Sequence, residues 1–292
     1  MKKDPEDGAA SRERVDGPFG PPGSHLTLTG QVAVRTSDGD EHELPEGNVR
    51  LVLAALALTA TPITRSELAE VVWGDDLPRS WEASLRNTIS RLRSFLRERF
   101  SDGCTIEAVG GCWRLQLPNG ALTDVEVARR CLDQAESAHV AGDPVGAESA
   151  ALAVHSICAR PFLPGEENDW VGGWRATLHR WRLRALDLLT EARLARGELA
   201  PALASAEEAA RIEPYRELGH RNLLRVHLAA SDRGAGLTAY ERCRRILAES
   251  LGVPPSAETE ALYLALLGID DQTPGAGAAD DLGLPYPALP PR

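Results

Sequence analysis

The sequence predicts a mainly helical chain in two parts: a small α+β part near the N-terminus, then an all-α part of helical repeats. Three observations predict it. Between residues 26 and 118, short alternating β-type runs bracket three helix-length segments. From Thr123 to Gly268 the spacing and the capping residues are helical throughout. Within that second part a pattern returns after 34 residues, the period of tetratricopeptide-type helix-turn-helix repeats.

The first part opens with "LTLTGQVAVRT", two short β-type runs split by Gly30. Asp38-Gly39 supplies a turn into a third short strand. "NVRLVLAALALTA" is nearly all apolar and predicts a buried helix. In "TPITRSELAEVVWG", Thr64 and Glu67 form a T-x-x-E capping box, so a helix starts at Thr64 and stops at Gly74. The loop "GDDLPR" leads into an arginine-rich amphipathic segment. "CTIEAV" and "CWRLQL", joined by Gly110-Gly111, then read as a hairpin with a two-residue turn. The order is sheet, three helices, hairpin.

In the second part, Thr123 and Glu126 form another capping box, and Asp143-Pro144 reads as an N-cap followed by a first-turn proline. Aligning "GELAPALASAEEAARI" with "SDRGAGLTAYERCRRI" pairs Leu203 with Leu237, Glu207 with Glu241, Arg211 with Arg245 and Ile212 with Ile246. "GDPVGAESAALAVHSI" is a third copy, displaced 55 residues, and the excess falls on "CARPFLPGEENDWVGGW", read as an irregular loop. Such repeats stack because each buries the apolar face its neighbour cannot cover alone. The expected domains are residues 26–118 and 123–268, with a junction between Pro118 and Thr123. A fragment ending near residue 120 is expected to fold. Residues 1–25 and 271–292, rich in Gly, Pro and charge, read as disordered.

Composition narrows the function. The chain has 292 residues, 43% of them hydrophobic, enough for two cores. No run reaches the ~18 apolar residues of a membrane span, and the N-terminus lacks a secretory signal's apolar core. Five scattered cysteines without a C-x-x-C spacing argue against a disulfide scaffold or zinc site and for a reducing cytoplasm. There is no phosphate-binding P-loop and no nucleophile elbow, so an enzyme is not expected. His155 with Cys158, and His220 with His227, have helical spacing but no further ligands, so no metal or cofactor is expected. Trp170, Trp174 and Trp181 form a stripe read as core packing.

The net charge is −11, yet Arg79 to Phe100, "RSWEASLRNTISRLRSFLRERF", carries six arginines against two acids. At 100° per residue, Leu85, Ile89, Leu92, Leu96 and Phe100 form one apolar stripe. Ser84, Asn87, Arg91 and Ser94 lie opposite, and Arg86, Ser90, Arg93 and Arg97 line a flank. These side chains suit phosphate oxygens and base edges. A buried helix, a capped helix, a loop, this helix and a hairpin together make a winged helix-turn-helix, whose third helix enters the major groove. The whole part counts 10 arginines against 13 acids, so the positive field sits on that helix alone.

With those elements in view, "VRLVLAALAL…ITRSELAEVVWGDDLP…LRNTISRLRSFL…GGCWRLQL" resembles the OmpR/PhoB-type winged helix. "PYRELGHRNLLRVHLAASDRGAGLTAYERCRRILAESLGVPPSAETEALY" resembles the bacterial transcriptional activator domain. Together they resemble the Streptomyces antibiotic regulatory protein family over about residues 26–268. The resemblance implies a pathway-specific transcription activator of a biosynthetic gene cluster. Such an activator binds direct repeats in double-stranded DNA, pairs as a homodimer there and recruits RNA polymerase holoenzyme. It acts in the bacterial cytoplasm at the nucleoid, away from membranes. Carried over by position, Asn87, Thr88 and Arg91 face bases. Ser84, Ser90, Arg93 and Arg97 lie at or near phosphates, beside Arg86. Asp75 and Asp76 become candidate polymerase contacts. The wing turn Gly110-Gly111-Cys112-Trp113 departs from the family's usual Pro-Gly-Tyr or Gly-Tyr, with Trp113 in the aromatic's packing place. With only 25 residues before the winged helix, no receiver domain and no aspartate phosphorylation within the chain are expected. The rival reading is a helical-repeat interaction adaptor whose winged helix has lost DNA binding.

Overall fold

A computed structural model of the protein describes residues 25–36, 40–99, 104–117 and 121–268. The expected Asp38-Gly39 turn, Phe100, Pro118 and both terminal segments lie outside the described residues. Packing divides the chain into two units, cut between Ile212 and Glu213.

The first unit begins with the antiparallel strands β1 (His25–Thr27), β2 (Ala33–Arg35) and β3 (Glu41–Glu43). Helix α1 (Asn48–Leu58) is buried from Val49 through Leu56, as its unbroken apolar sequence requires. Strand β4 (Ile63–Thr64) leads into α2 (Arg65–Trp73). The Glu67 N–H donates to Thr64 Oγ1 at 3.2 Å, and the Thr64 N–H donates to Glu67 Oε2 at 2.7 Å. The bonds from Thr64 hold the Glu67 carboxyl below its ordinary range. Gly74, at φ 53, closes the helix, a conformation that glycine takes without strain.

Helix α3 (Trp81–Arg99) buries Leu85, Ile89, Leu92 and Leu96, as its periodicity predicts. Strands β5 (Thr105–Val109) and β6 (Cys112–Gln116) turn at Gly110 and Gly111, with φ 58 and 84. Positive φ at both central residues is what a type I′ hairpin demands. Strand β4 pairs with β6 to complete a sheet ordered β4-β6-β5. Sheet, three helices and hairpin thus follow in the expected order.

Strand β7 (Leu122–Thr123) then returns to pair parallel with β1, giving the order β3-β2-β1-β7. It opens into helices α4 (Asp124–Val140), α5 (Pro144–Cys158), α6 (Asp169–Ala195) and α7 (Leu199–Ile212). Thr123 caps α4 by accepting from the Glu126 N–H at 2.9 Å, but Glu126 turns its own carboxylate to Arg129 and Arg130. Asp143 caps α5 through the Gly146 N–H at 3.0 Å. The irregular loop read at Cys158–Trp174 is shorter than expected. Helix α6 starts at Asp169 and runs through Gly172-Gly173, because a capped start and a long buried face outweigh the ~1 kcal/mol that each glycine costs a helix. Trp170, Trp174 and Trp181 therefore lie on α6 and pack against the core.

One continuous core runs from Leu26 to Ala209. Asp124, buried at the start of α4, ties that helix to the residues that follow β1. Its carboxylate accepts from the Leu28 and Thr29 N–H groups, both at 2.9 Å, and from the Thr29 hydroxyl at 2.6 Å. Phe162 and Leu163, from the loop before α6, are buried in the same core. Packing divides the chain between Ile212 and Glu213, within the second of the two expected domains.

The second unit holds α8 (Glu217–Ala229), α9 (Arg233–Leu251) and α10 (Ala257–Leu267). Leu224, Tyr240 and Leu266 form its core, and Tyr240 stacks on Tyr263 with centroids 4.0 Å apart. Glu217 Oε2 accepts from Ser256 N, Ser256 Oγ and Thr259 Oγ1 at 2.9, 2.7 and 2.6 Å, fixing the start of α10 against α8. The 34-residue repeat lands on α7 and α9, each the second helix of a helix pair.

Candidate nucleic-acid interface

Helix α3 lies against α1 and α2 with its leucine and isoleucine stripe inward. Its outward face carries Arg86, Asn87, Ser90, Arg91, Ser94 and Arg97, all exposed. At 1.5 Å per residue the face spans about 16 Å from Arg86 to Arg97, and a B-DNA major groove about 12 Å wide admits an α-helix.

Two of the residues expected on this face are used elsewhere. Thr88 is only 7% exposed, and its hydroxyl donates to the Ser84 carbonyl at 3.0 Å, a back-bond common for threonine in helices. It sits at the margin of the buried stripe and turns away from the open face. Ser84, which accepts that bond, is half-buried. Arg93 turns to the wing. Its Nε and Nη2 donate to the Ile106 carbonyl at 3.0 and 2.8 Å, and its guanidinium carbon stands 4.8 Å from the centroid of the Trp113 ring. Arg93 therefore fixes the hairpin to the helix.

Charge pairing varies among the arginines of the helices. Several arginines of the repeat helices are matched by carboxylates: Arg184 with Glu136 at 2.9 Å, Arg193 with Glu148 at 2.8 Å, Arg129 and Arg130 with Glu126, and Arg244 with Glu241 at 2.7 Å. Among the described residues no side-chain partner holds Arg86, Arg91 or Arg97.

Arg65, the first residue of α2, was not singled out in the sequence. It shares a small cavity at the start of α3 with Glu82, Arg86 and Trp113. The pairing of β4 with β6, Ile63 with Trp113 and Thr64 with Cys112, brings it there, and a two-residue strand leaves no periodic signal. Asp75 and Asp76 are exposed in the turn between α2 and α3, where the Asp76 N–H donates to the Trp73 carbonyl at 3.0 Å.

Comparison with known proteins adds to this geometry. The bacterial transcriptional activator domain family matches residues 123–267. Regulatory protein AfsR of Streptomyces griseus is 31% identical over 225 residues, covering 76% of this chain and 22% of that protein. AfsR of Streptomyces coelicolor is 31% identical over 235 residues, covering 80% and 23%. The transcriptional regulator RedD of Streptomyces coelicolor is 26% identical over 255 residues, covering 84% and 71%. The chain thus spans about a fifth of the length of the AfsR proteins. A solved structure, Mycobacterium tuberculosis EmbR in complex with a low affinity phosphopeptide, superposes with a TM-score of 0.74 at 23% identity. It covers 84% of this chain and 65% of that one, and shares the fold.

Proposed function

From the premise that this chain belongs to the Streptomyces antibiotic regulatory protein type of transcriptional activator and carries its bacterial transcriptional activator domain, we propose that it activates transcription by reading DNA sequence through α3. The observation that carries the proposal is the exposed arginine, asparagine and serine face of α3. Arg86, Arg91 and Arg97 stand exposed beside Asn87, Ser90 and Ser94 on the outward face of one helix. Open guanidinium groups bind phosphates and, with an asparagine, the acceptor and donor edges of bases in a major groove.

In this reading Asn87 and Arg91 contact bases, and Arg86, Ser90 and Arg97 contact phosphates. The wing, held by Arg93 and Trp113, flanks the groove. Two copies occupy direct repeats, and the helical repeats of residues 123–268 join them. The Asp75-Asp76 turn offers a negative surface to RNA polymerase. The regulated genes form a biosynthetic cluster, and the protein acts in the cytoplasm at the nucleoid. No cofactor enters any of these steps.

A selection of genomic fragments by the purified full chain tests the reading. Direct repeats sharing one motif are expected in the retained pool, and Arg91→Ala is expected to relax that motif at the positions Arg91 reads. A pool with no common motif supports the adaptor reading instead.

A further inference from the structure

Asn168 stands where two helices end. Its Oδ1 accepts from the Val171 N–H at 2.9 Å, and its Nδ2 donates to the Val71 carbonyl at 2.8 Å. One carboxamide thus closes the N-terminus of α6 and the C-terminus of α2. The last carbonyls of a helix have no partner within it. In α2 the Glu70 carbonyl takes the Gly74 N–H and the Trp73 carbonyl takes the Asp76 N–H, while the Val71 carbonyl takes Asn168. The opposed partial charges of the two helix ends meet across this residue.

The same loop holds α1. Glu166 Oε1 accepts from the Gly47 N–H at 2.6 Å. Helix α1 has no side-chain cap of its own and no acid in its first turn, so Glu166 supplies the missing anion. The loop is itself fixed. Arg175 donates to the carbonyls of Phe162, Leu163 and Glu166 at 3.1, 3.2 and 2.8 Å. Leu163 sits at φ 40, a left-handed conformation costing a non-glycine residue about 1–3 kcal/mol. Its N–H bond to the Leu28 carbonyl, at 2.9 Å, holds it there.

The loop therefore sets the start of α1 and the end of α2, the two helices on which α3 rests, and leaves the open face of α3 untouched. Phosphate contacts tolerate a displaced helix, because they fix register without reading sequence, whereas base contacts need placement within about 0.5 Å. We infer that Asn168 is a positioning residue for DNA reading: the loop of the activator domain sets the aim of α3, and with it sequence discrimination. The inference rests on the reading of α3 as the DNA-reading helix.

The test uses full-length Asn168→Ser. Serine keeps an acceptor for the Val171 N–H and is a good N-cap, but it cannot reach the Val71 carbonyl. Affinities for the selected operator and for a random-sequence duplex are measured beside the thermal unfolding midpoint. Operator affinity is expected to fall about five- to tenfold while random-duplex affinity holds; the midpoint falls by the few degrees that one lost hydrogen bond costs, and unfolding stays cooperative. Operator and random affinities falling together, or neither changing, would overturn the inference. If Asn168→Ser does not fold, Glu166→Ala is compared with Glu166→Gln, which keeps the acceptor for Gly47. Glutamine is expected to retain discrimination and alanine to lose it; equal discrimination in both overturns the inference. Wild-type protein that does not distinguish operator from random DNA removes the DNA-reading proposal itself, which separates the two failures.

Discussion

Arg93 and Trp113 face each other across the join between α3 and the wing, with the guanidinium carbon 4.8 Å from the ring centroid and both donating nitrogens on the Ile106 carbonyl. Charged hydrogen bonds of this kind contribute about 1.5–3 kcal/mol, and a cation–π contact at a partly exposed site about 0.5–1 kcal/mol. Arg93→Ala is expected to destabilise the protein by roughly 1–3 kcal/mol. It should weaken operator binding without changing which bases are preferred. Urea unfolding and a base-substitution series check the two halves of this prediction.

Asn87 and Arg91 should differ in kind from Arg97. Removing a base reader costs about 1–3 kcal/mol and relaxes preference at particular positions. Arg97→Ala should weaken all sequences alike. A base-preference series on Asn87→Ala, Arg91→Ala and Arg97→Ala measures this, and a changed preference in the Arg97 variant alone would mean the helical phase of the contacts has been misassigned.

Open arginines predict a steep response to salt. Log affinity should fall linearly with log salt by about 0.9 per phosphate neutralised. Arg86→Ala or Arg97→Ala should each lower the slope by about one. Titrations at four or five salt concentrations give the slope, and a flat response would exclude phosphate anchoring.

The Asp75-Asp76 turn lies beside α3 but off its arginine face. Replacing both with Asn should leave DNA affinity unchanged or slightly raised, because two negative charges near phosphate disappear, while transcript yield falls. A paired gel-shift and in-vitro transcription assay reads both. Full yield at saturated operator would restrict these acids to a solvated turn that suits the helix N-terminus following it.

The boundary of the folding unit is also open to test. A chain ending at residue 120 lacks Asp124, Phe162, Leu163 and Asn168, and so uncovers one side of the N-terminal core. It should not unfold cooperatively, whereas a chain ending at residue 212 should. Denaturant melts of the two fragments decide the matter, and a cooperative transition in the shorter one would show that the winged part folds alone.

Local features of the fold were legible in the sequence because their causes are local. Thr64 with Glu67, Asp143 with Pro144, and Gly110-Gly111 each dictate a cap or turn from neighbouring residues. The stripe Leu85, Ile89, Leu92, Leu96 dictates the buried face of α3. What escaped the sequence depends on partners far along the chain. Thr88 and Ser90 are both small hydroxyl residues near the edge of the stripe, and only the packed helices show which one turns inward. Arg93 was indistinguishable from Arg91 until the wing supplied Ile106 and Trp113. Asn168 lay in a stretch rich in Pro and Gly that reads as a loop, and its role depends on Val71, 97 residues earlier.

The parallel pairing of β1 with β7, and the seat of Leu163 against Leu28, have a consequence for synthesis. A ribosome delivers the chain from its N-terminus, so β1 waits unpaired on one edge until residues 122–163 have followed it out. Contacts between residues so far apart in sequence form late. The nascent winged part therefore spends that interval with an uncovered apolar side, open to chaperone capture. A product cut short before Leu163, by early termination or by proteolysis, carries the arginine helix without its support.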